Sequence, residues 1–200
     1  MAPLGNDLPT TRREFLAAAV LLAGGPLLVA LRRAGAGAET EGPAGTMAHS
    51  EDVMIVEFSD TGARQRTVRV PKVVKPESEW RRQLSPLAFQ VARRGDTERP
   101  FSGAYWDLHE KGIFRCVCCE TALFGSAAKF DSGTGWPSFW QPIAKENVVT
   151  HPSRSARGIE SELTCPRCDA HLGDVFDDGP PPTGLRYCID SVSLRFVKFV

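Results

Sequence analysis

The chain has no excess of charge of either sign: 24 basic residues face 24 acidic ones. That argues against a nucleic-acid-binding surface, which needs a clustered basic excess. Beyond residues 15–31 no apolar run approaches membrane-spanning length, so the body of the protein is expected to be soluble. No internal repeat is present apart from a duplicated cysteine pair. From Lys111 to Val200 helical periodicity is also scarce, which excludes a helical bundle there. What remains is about one domain's worth of chain.

The first forty residues read as something other than the fold. Arg12 and Arg13 precede a moderately apolar run from Phe15 to Leu31, and Ala36-Gly37-Ala38 resembles a signal-peptidase site. This is the three-part layout of an export signal, here residues 1–38. "TRREFL" has the look of the twin-arginine type, which carries folded cargo to the periplasm or cell envelope. An uncleaved membrane anchor is the rival, but Gly24, Gly25 and Pro26 interrupt a run already short for a span. Removing 1–38 takes away four arginines and two acids, so the remainder stays near neutral.

Residues 39–52 have little to bury and read as a linker before a domain at 53–200. "VMIVEFSDTGARQRTVRV" alternates apolar and polar on both sides of Asp60-Thr61-Gly62, a hairpin signal. "PESEWRRQL" and "SPLAFQVARR" suggest two short helices, the second capped by Ser85 and opened by Pro86. Five short apolar runs follow: Gly112–Cys116, Ala122–Phe124, Ser161–Thr164, Tyr187–Ile189 and Ser193–Val200. Gly, Pro, Asp and Ser clusters separate them, the texture of a small antiparallel β domain. "FDDGPPPTG" is expected to be an extended loop, because consecutive prolines cannot donate to a sheet.

Six cysteines carry most of the chemical information. Cys116-x-x-Cys119 and Cys165-x-x-Cys168 repeat one device, each after a short strand. Brought together they would present four thiolates in a tetrahedron, the arrangement of a closed structural zinc site. Such a site has no open coordination position, so its contribution is folding energy. Disulfides, favoured in exported proteins, and a redox-active dithiol are the alternatives. Two matched pairs, on a route that allows metal loading before export, favour zinc. Cys118 then points away from the metal as a packed small residue.

Cys188 stands outside the metal set. A lone cysteine is a candidate nucleophile, although buried cysteines are common. Arg186, two positions earlier and on the same strand face, would favour a thiolate there. "DSGTGWPSFW" presents Trp136 from a glycine-punctuated loop; core packing is its ordinary role, and an apolar wall for a small substrate group its sharper one.

"TERPFSGAYWD", "CVCC", "KFDSGTGWPSFW", "CPRCDAHLG" and "VFDDGPPPTGLRYCIDSVSLRF" together resemble the B-type methionine-R-sulfoxide reductases, in order, from about Val53 to Phe199. The resemblance implies a mainly β fold: two packed antiparallel sheets, small N-terminal helices, and a structural zinc site remote from the reaction centre. It implies that Cys188 attacks the sulfoxide sulfur and becomes a sulfenic acid. It assigns Trp136 to cradling the substrate methyl, His171 to the polar pocket, and Arg186 and Asp178 to its charged support. Cys116, Cys119, Cys165 and Cys168 match its zinc ligands. Oxidised proteins or peptides would be the substrates, a thioredoxin-like or other thiol the reductant, and the chain a monomer without nucleic acid.

Three positions depart from the family pattern. Asp174 stands where a second histidine is common, and Asp190 where asparagine is common. Thr134 occupies the place of a resolving cysteine, so recycling is expected to use an external thiol, with Cys118 as the alternative. The expected proton donor is a carboxyl sharing the pocket with His171, either Asp174 or Asp190, because like charges and desolvation raise a carboxyl's pKa; His171 acting alone is the rival. Two other functions compete with the reductase: a degenerate sulfoxide-binding module, and an envelope protein stapled by three disulfides. Retention of Cys188, Arg186, Trp136 and His171 argues against decay.

Overall fold

The computed structural model describes residues 51–155 and 158–199. The expected export signal, residues 1–38, and all but the end of the expected linker lie outside the described residues.

Strands β1 (Asp52–Phe58) and β2 (Arg64–Pro71) pair antiparallel as a separate ribbon around the expected turn. Gly62 closes that turn at φ +79°, where a Cβ would strike the Phe199 ring. Buried Asn147 fastens the ribbon to the body. Its Nδ2 donates to the carbonyls of Val56 and Ala122, at 2.8 and 2.7 Å, and its Oδ1 accepts the Val56 N–H at 2.7 Å. All three groups of a buried amide are thereby satisfied, which is the condition for its burial.

Two helices follow, α1 (Glu77–Gln83) and α2 (Pro86–Arg94). Ser85 caps α2 by accepting the Ala88 N–H at 3.2 Å, Pro86 sits in its first turn, and Gly95 ends it in the left-handed conformation. Its buried face is Ala88, Phe89, Val91 and Ala92.

The remaining strands form two sheets. β3 (Gly112–Cys116), β4 (Ala122–Gly125) and β11 (Leu194–Lys198) make a three-stranded sheet in the order β11-β3-β4. The larger sheet holds β5 (Lys129–Phe130), β6 (Ser138–Phe139), β7 (Val149–Ser155), β8 (Gly158–Thr164), β9 (His171–Phe176) and β10 (Arg186–Ile189). Its order is β5-β6-β10-β9-β8-β7, and every pairing in both sheets is antiparallel. The sheets pack through aromatic rings. Phe124 of β4 stacks on Phe139 of β6 at 4.4 Å between centroids, and Phe114 of β3 meets Phe139 edge-on at 5.1 Å. All three are fully buried, each contributing roughly 1.5–3 kcal/mol of hydrophobic stabilisation.

Two packed antiparallel sheets with two small helices are thus present, together with the detached ribbon. The two-residue strands β5 and β6 and the longer β7 and β9 have no counterpart among the expected runs. "VTHPSRS" contains Pro152, tolerable because β7 is the sheet's edge, and "HLGDVF" interrupts its apolar residues with Gly173 and Asp174.

Candidate active site and metal centre

The two Cys-x-x-Cys segments fold as copies of one knuckle. In the first, the Cys116 N–H donates to the Thr121 carbonyl and the Glu120 N–H to the Cys116 carbonyl, with Glu120 at φ +64°. In the second, the Cys165 N–H donates to the Ala170 carbonyl and the Asp169 N–H to the Cys165 carbonyl, with Asp169 at φ +54°. Each left-handed residue turns the chain so that both sulfurs of its pair face one point. The four sulfurs lie within 4.8 Å of one another, with Cys116–Cys168 at 3.6 Å and Cys119–Cys165 at 3.5 Å. Those separations suit the edges of a sulfur tetrahedron around zinc, about 3.8 Å for bonds of about 2.3 Å, and far exceed a disulfide's ~2.05 Å. None of the six cysteines is joined in a disulfide in this structure, and the arrangement favours metal ligation over the three-disulfide reading. The cluster can hold a metal ion. Cys118 does not point away from the cluster as expected: its thiol is buried against those of Cys116 and Cys168, and its carbonyl accepts from the Gln83 amide at 2.8 Å.

The four-cysteine cluster joins the two sheets, since Cys116 ends β3 and Cys165 follows β8. It also anchors α2: the Arg93 guanidinium donates to the Cys168 carbonyl at 2.6 Å and stacks on Trp80 at 4.8 Å.

Cys188 lies on β10, between β6 and β9. Alternation along that strand sends Tyr187 and Ile189 toward the core and leaves Arg186 and Cys188 on the opposite face. Across the sheet Cys188 pairs with Ser138 on one side and Asp174 on the other; Asp174 pairs with Glu162, and Glu162 with His151. Directly paired residues share a face, so one row runs His151–Glu162–Asp174–Cys188–Ser138. A cavity of about 550 Å³ opens over the His151–Glu162–Asp174 end of this row, lined by Thr97, His151, Glu162, His171 and Asp174; Cys188 and Trp136 are not in its lining.

The charges on this face are arranged in pairs. Arg186 grips Asp178 with two parallel hydrogen bonds of 2.8 Å and lies over the Phe176 ring at 4.3 Å. This pairing holds Asp178 below the usual carboxylate range. His171 Nδ1 is 3.0 Å from Glu162 Oε1; a carboxylate only accepts, so Nδ1 carries the hydrogen. Nε2 faces Asp190 Oδ2 at 3.9 Å. Asp190 itself is 3% exposed, and its Oδ1 accepts from the Glu98 N–H and the Thr97 hydroxyl, both at 2.9 Å. Burial pushes its carboxyl up to about 6, against the pull of those two hydrogen bonds. Burial also raises the Cys188 thiol; the Arg186 charge and the Thr134 hydroxyl, 4.0 Å from the sulfur, oppose that rise, while Asp190 and Asp174 add to it.

The sequence therefore brings Cys188, Arg186, Asp178, His171, Asp174 and Asp190 onto one side of one sheet. Trp136 enters from the neighbouring glycine loop, its indole N–H bound to the Glu98 carbonyl at 3.2 Å.

A family profile described as "SelR domain" matches residues 84–198. The chain belongs to this family. Among curated relatives, one named a peptide methionine sulfoxide reductase MsrB from Herminiimonas arsenicoxydans is 57% identical over 125 residues, covering 62% of this chain and 91% of that protein. A second of the same name, from Thioalkalivibrio sulfidiphilus, is 58% identical over 116 residues, or 58% of this chain and 85% of the relative. One from Synechococcus is 50% identical over 131 residues, covering 66% and 96%.

Within the SelR domain, one residue that sequence reasoning left without a role is central. Glu98, 2% exposed, uses every polar group it has. Its N–H holds Asp190, its carbonyl holds Trp136, and its carboxylate accepts the N–H groups of Ser191 and Val192 at 2.7 and 3.1 Å. It thereby fixes the turn after β10, the indole and the raised carboxyl together. Its place in "TERPFSG" was the available signal; nothing in that string shows that a glutamate so close to a surface helix is buried. Glu162 was missed for the related reason that its partner, His171, is set by strand register.

Proposed function

We propose that this chain reduces methionine-R-sulfoxide in peptides and proteins, with Cys188 as nucleophile. The observation that carries this reading is the cross-strand row through Cys188, with Arg186, His171 and Asp190 on the same face of a SelR domain. The Cys188 thiolate attacks the sulfoxide sulfur while the oxygen gains a proton. That oxygen passes to Cys188 as a hydroxyl, leaving a sulfenic acid and the thioether of methionine. One external thiol then condenses with the sulfenic acid, releasing water and giving a mixed disulfide. A second thiol displaces Cys188 and leaves with the first as a disulfide.

Asp190 is the group suited to move the proton. Near neutral pH it is mainly ionised, so it can take the thiol's proton, and a pKa of about 6 lets it return that proton to the oxygen. Arg186 favours the thiolate once formed. Trp136 supplies the apolar wall for the methyl, in the orientation set by Glu98. Zinc at the four cysteines is a folding element here. A thioredoxin-like thiol serves as the external reductant because Thr134 replaces a resolving cysteine, and the chain acts as a monomer. Residues 1–38 serve as a twin-arginine export signal; N-terminal sequencing of protein recovered from the periplasm tests this, and an intact Met1 there would contradict cleavage.

The purified protein with a dithiol and a methionine-R-sulfoxide peptide should release the methionine peptide, leave the S epimer untouched, and lose activity in Cys188→Ser. Binding of the R epimer without turnover would instead leave a sulfoxide-binding module.

A further inference from the structure

Phe101 is in an unusual state for a large apolar residue. Its backbone is left-handed, at φ +63°, and 55% of its surface is exposed. Bulky L-residues avoid this conformation, which persists only where the surroundings enforce it. Here the enforcement is visible. The Phe101 N–H donates to the Gly135 carbonyl at 2.8 Å, and a Cβ on Gly135 would come within 2.6–2.9 Å of Phe101 backbone and ring atoms. Gly135 lies between Thr134, whose hydroxyl approaches the Cys188 sulfur, and Trp136. The fold thus strains a residue while holding an aromatic ring, open to solvent, against the loop whose Thr134 hydroxyl approaches the nucleophile.

A second ring extends this surface. Trp106, 37% exposed, meets Phe101 edge-on at 5.3 Å between centroids, and its carbonyl is tied to Lys129 Nζ at 2.9 Å. Phe101 and Trp106 are the only exposed large aromatics among the described residues. Rigid aromatic pairs beside a recognition site are effective anchors, since they offer area with little rotamer entropy to lose.

We propose that Phe101 and Trp106 form a docking platform for an apolar side chain flanking the oxidised methionine of a peptide substrate. This rests on the reductase reading and adds a substrate class to it: methionine sulfoxides next to Leu, Ile, Val or Phe, as exposed by unfolded or damaged proteins. Methionines oxidised from a hydrophobic core carry such neighbours, and the Phe101 N–H bond to Gly135, the residue before Trp136, joins the platform to the loop that carries the proposed methyl wall.

The test is kcat/KM for three R-sulfoxide substrates: N-acetyl-methionine sulfoxide, a pentapeptide with leucines beside the sulfoxide, and the same peptide with glycines. In the wild type the leucine peptide should be preferred to the glycine peptide by about tenfold, equivalent to about 1.4 kcal/mol and consistent with half-burying one aromatic contact. In Phe101→Ala and in Trp106→Ala that preference should shrink toward unity. Trp106→Ala keeps the test decisive should Phe101→Ala disturb the Gly135 loop. A leucine-over-glycine ratio that is absent in the wild type, or unchanged in both variants, would overturn the platform. Failure of the wild type to reduce any of the three substrates would overturn the reductase reading instead.

Discussion

At neutral pH the Asp190 carboxylate is held where burial removes most of its water, and two hydrogen bonds do not fully offset the loss. Its folded pKa, about 6, lies above the ordinary 3.8. Below pH ~4 folded and unfolded forms are both protonated and the penalty vanishes. It grows as pH rises between those values and is complete above about 6, at roughly 2–3 kcal/mol. Asp190→Asn retains an acceptor for Thr97 and Glu98 without the charge. It should be about 1–3 kcal/mol more stable than wild type in urea at pH 7.5 and no more stable at pH 3.5. The same change should lower kcat/KM by ~10²-fold and erase the acid limb near pH 6, because no group then accepts the thiol proton. A variant keeping wild-type turnover and pH profile would transfer the proton role to His171 or Asp174. Thr134 makes a second case at this scale. Its hydroxyl is 4.0 Å from the Cys188 sulfur, so a thiol in its place would be within a small movement of disulfide distance. Thr134→Cys should show a 134–188 disulfide by non-reducing peptide mapping after one turnover, whereas wild type should show a trappable sulfenic acid on Cys188.

At the scale of the element, the largest stability effect is expected at the paired knuckles, whose four cysteines can hold a metal ion. Their left-handed residues, Glu120 and Asp169, carry unfavourable backbone angles that the metal's attraction for converging sulfurs would offset. Apparent zinc binding at such sites is worth ~10–16 kcal/mol near neutral pH, more than most domains' net stability. Cys168→Ser, or chelation, should therefore lower Tm sharply, read by calorimetry, while protein still folded at low temperature keeps its reaction at Cys188. Loss of activity at full thermal stability would contradict a structural role. Stability and site are linked through α2: Arg93 binds the Cys168 carbonyl, and the chain leaving that helix supplies Thr97 and Glu98.

Across the whole molecule, what could be read from the sequence was whatever is carried by spacing. The Asp60-Thr61-Gly62 turn, the Ser85-Pro86 helix start and the paired cysteines each declare themselves within a few residues. The order of the six-stranded sheet does not, because β10 sits between β6 and β9, and only that order puts Asp174 opposite Cys188. Nor could the strain at Phe101 be seen, since it depends on Gly135, far away in the chain. The paired knuckles also have a consequence for chain connectivity. The segment from Glu120 to Thr164, which carries Thr134, Trp136 and β4 to β8, starts at one knuckle and finishes at the other. With metal bound it is a ring closed by coordination bonds, a cross-link worth ~4 kcal/mol in chain entropy for a span of this length. Cutting one peptide bond in that ring would open it without freeing either fragment, so the molecule would tolerate a nick there as long as it kept its metal.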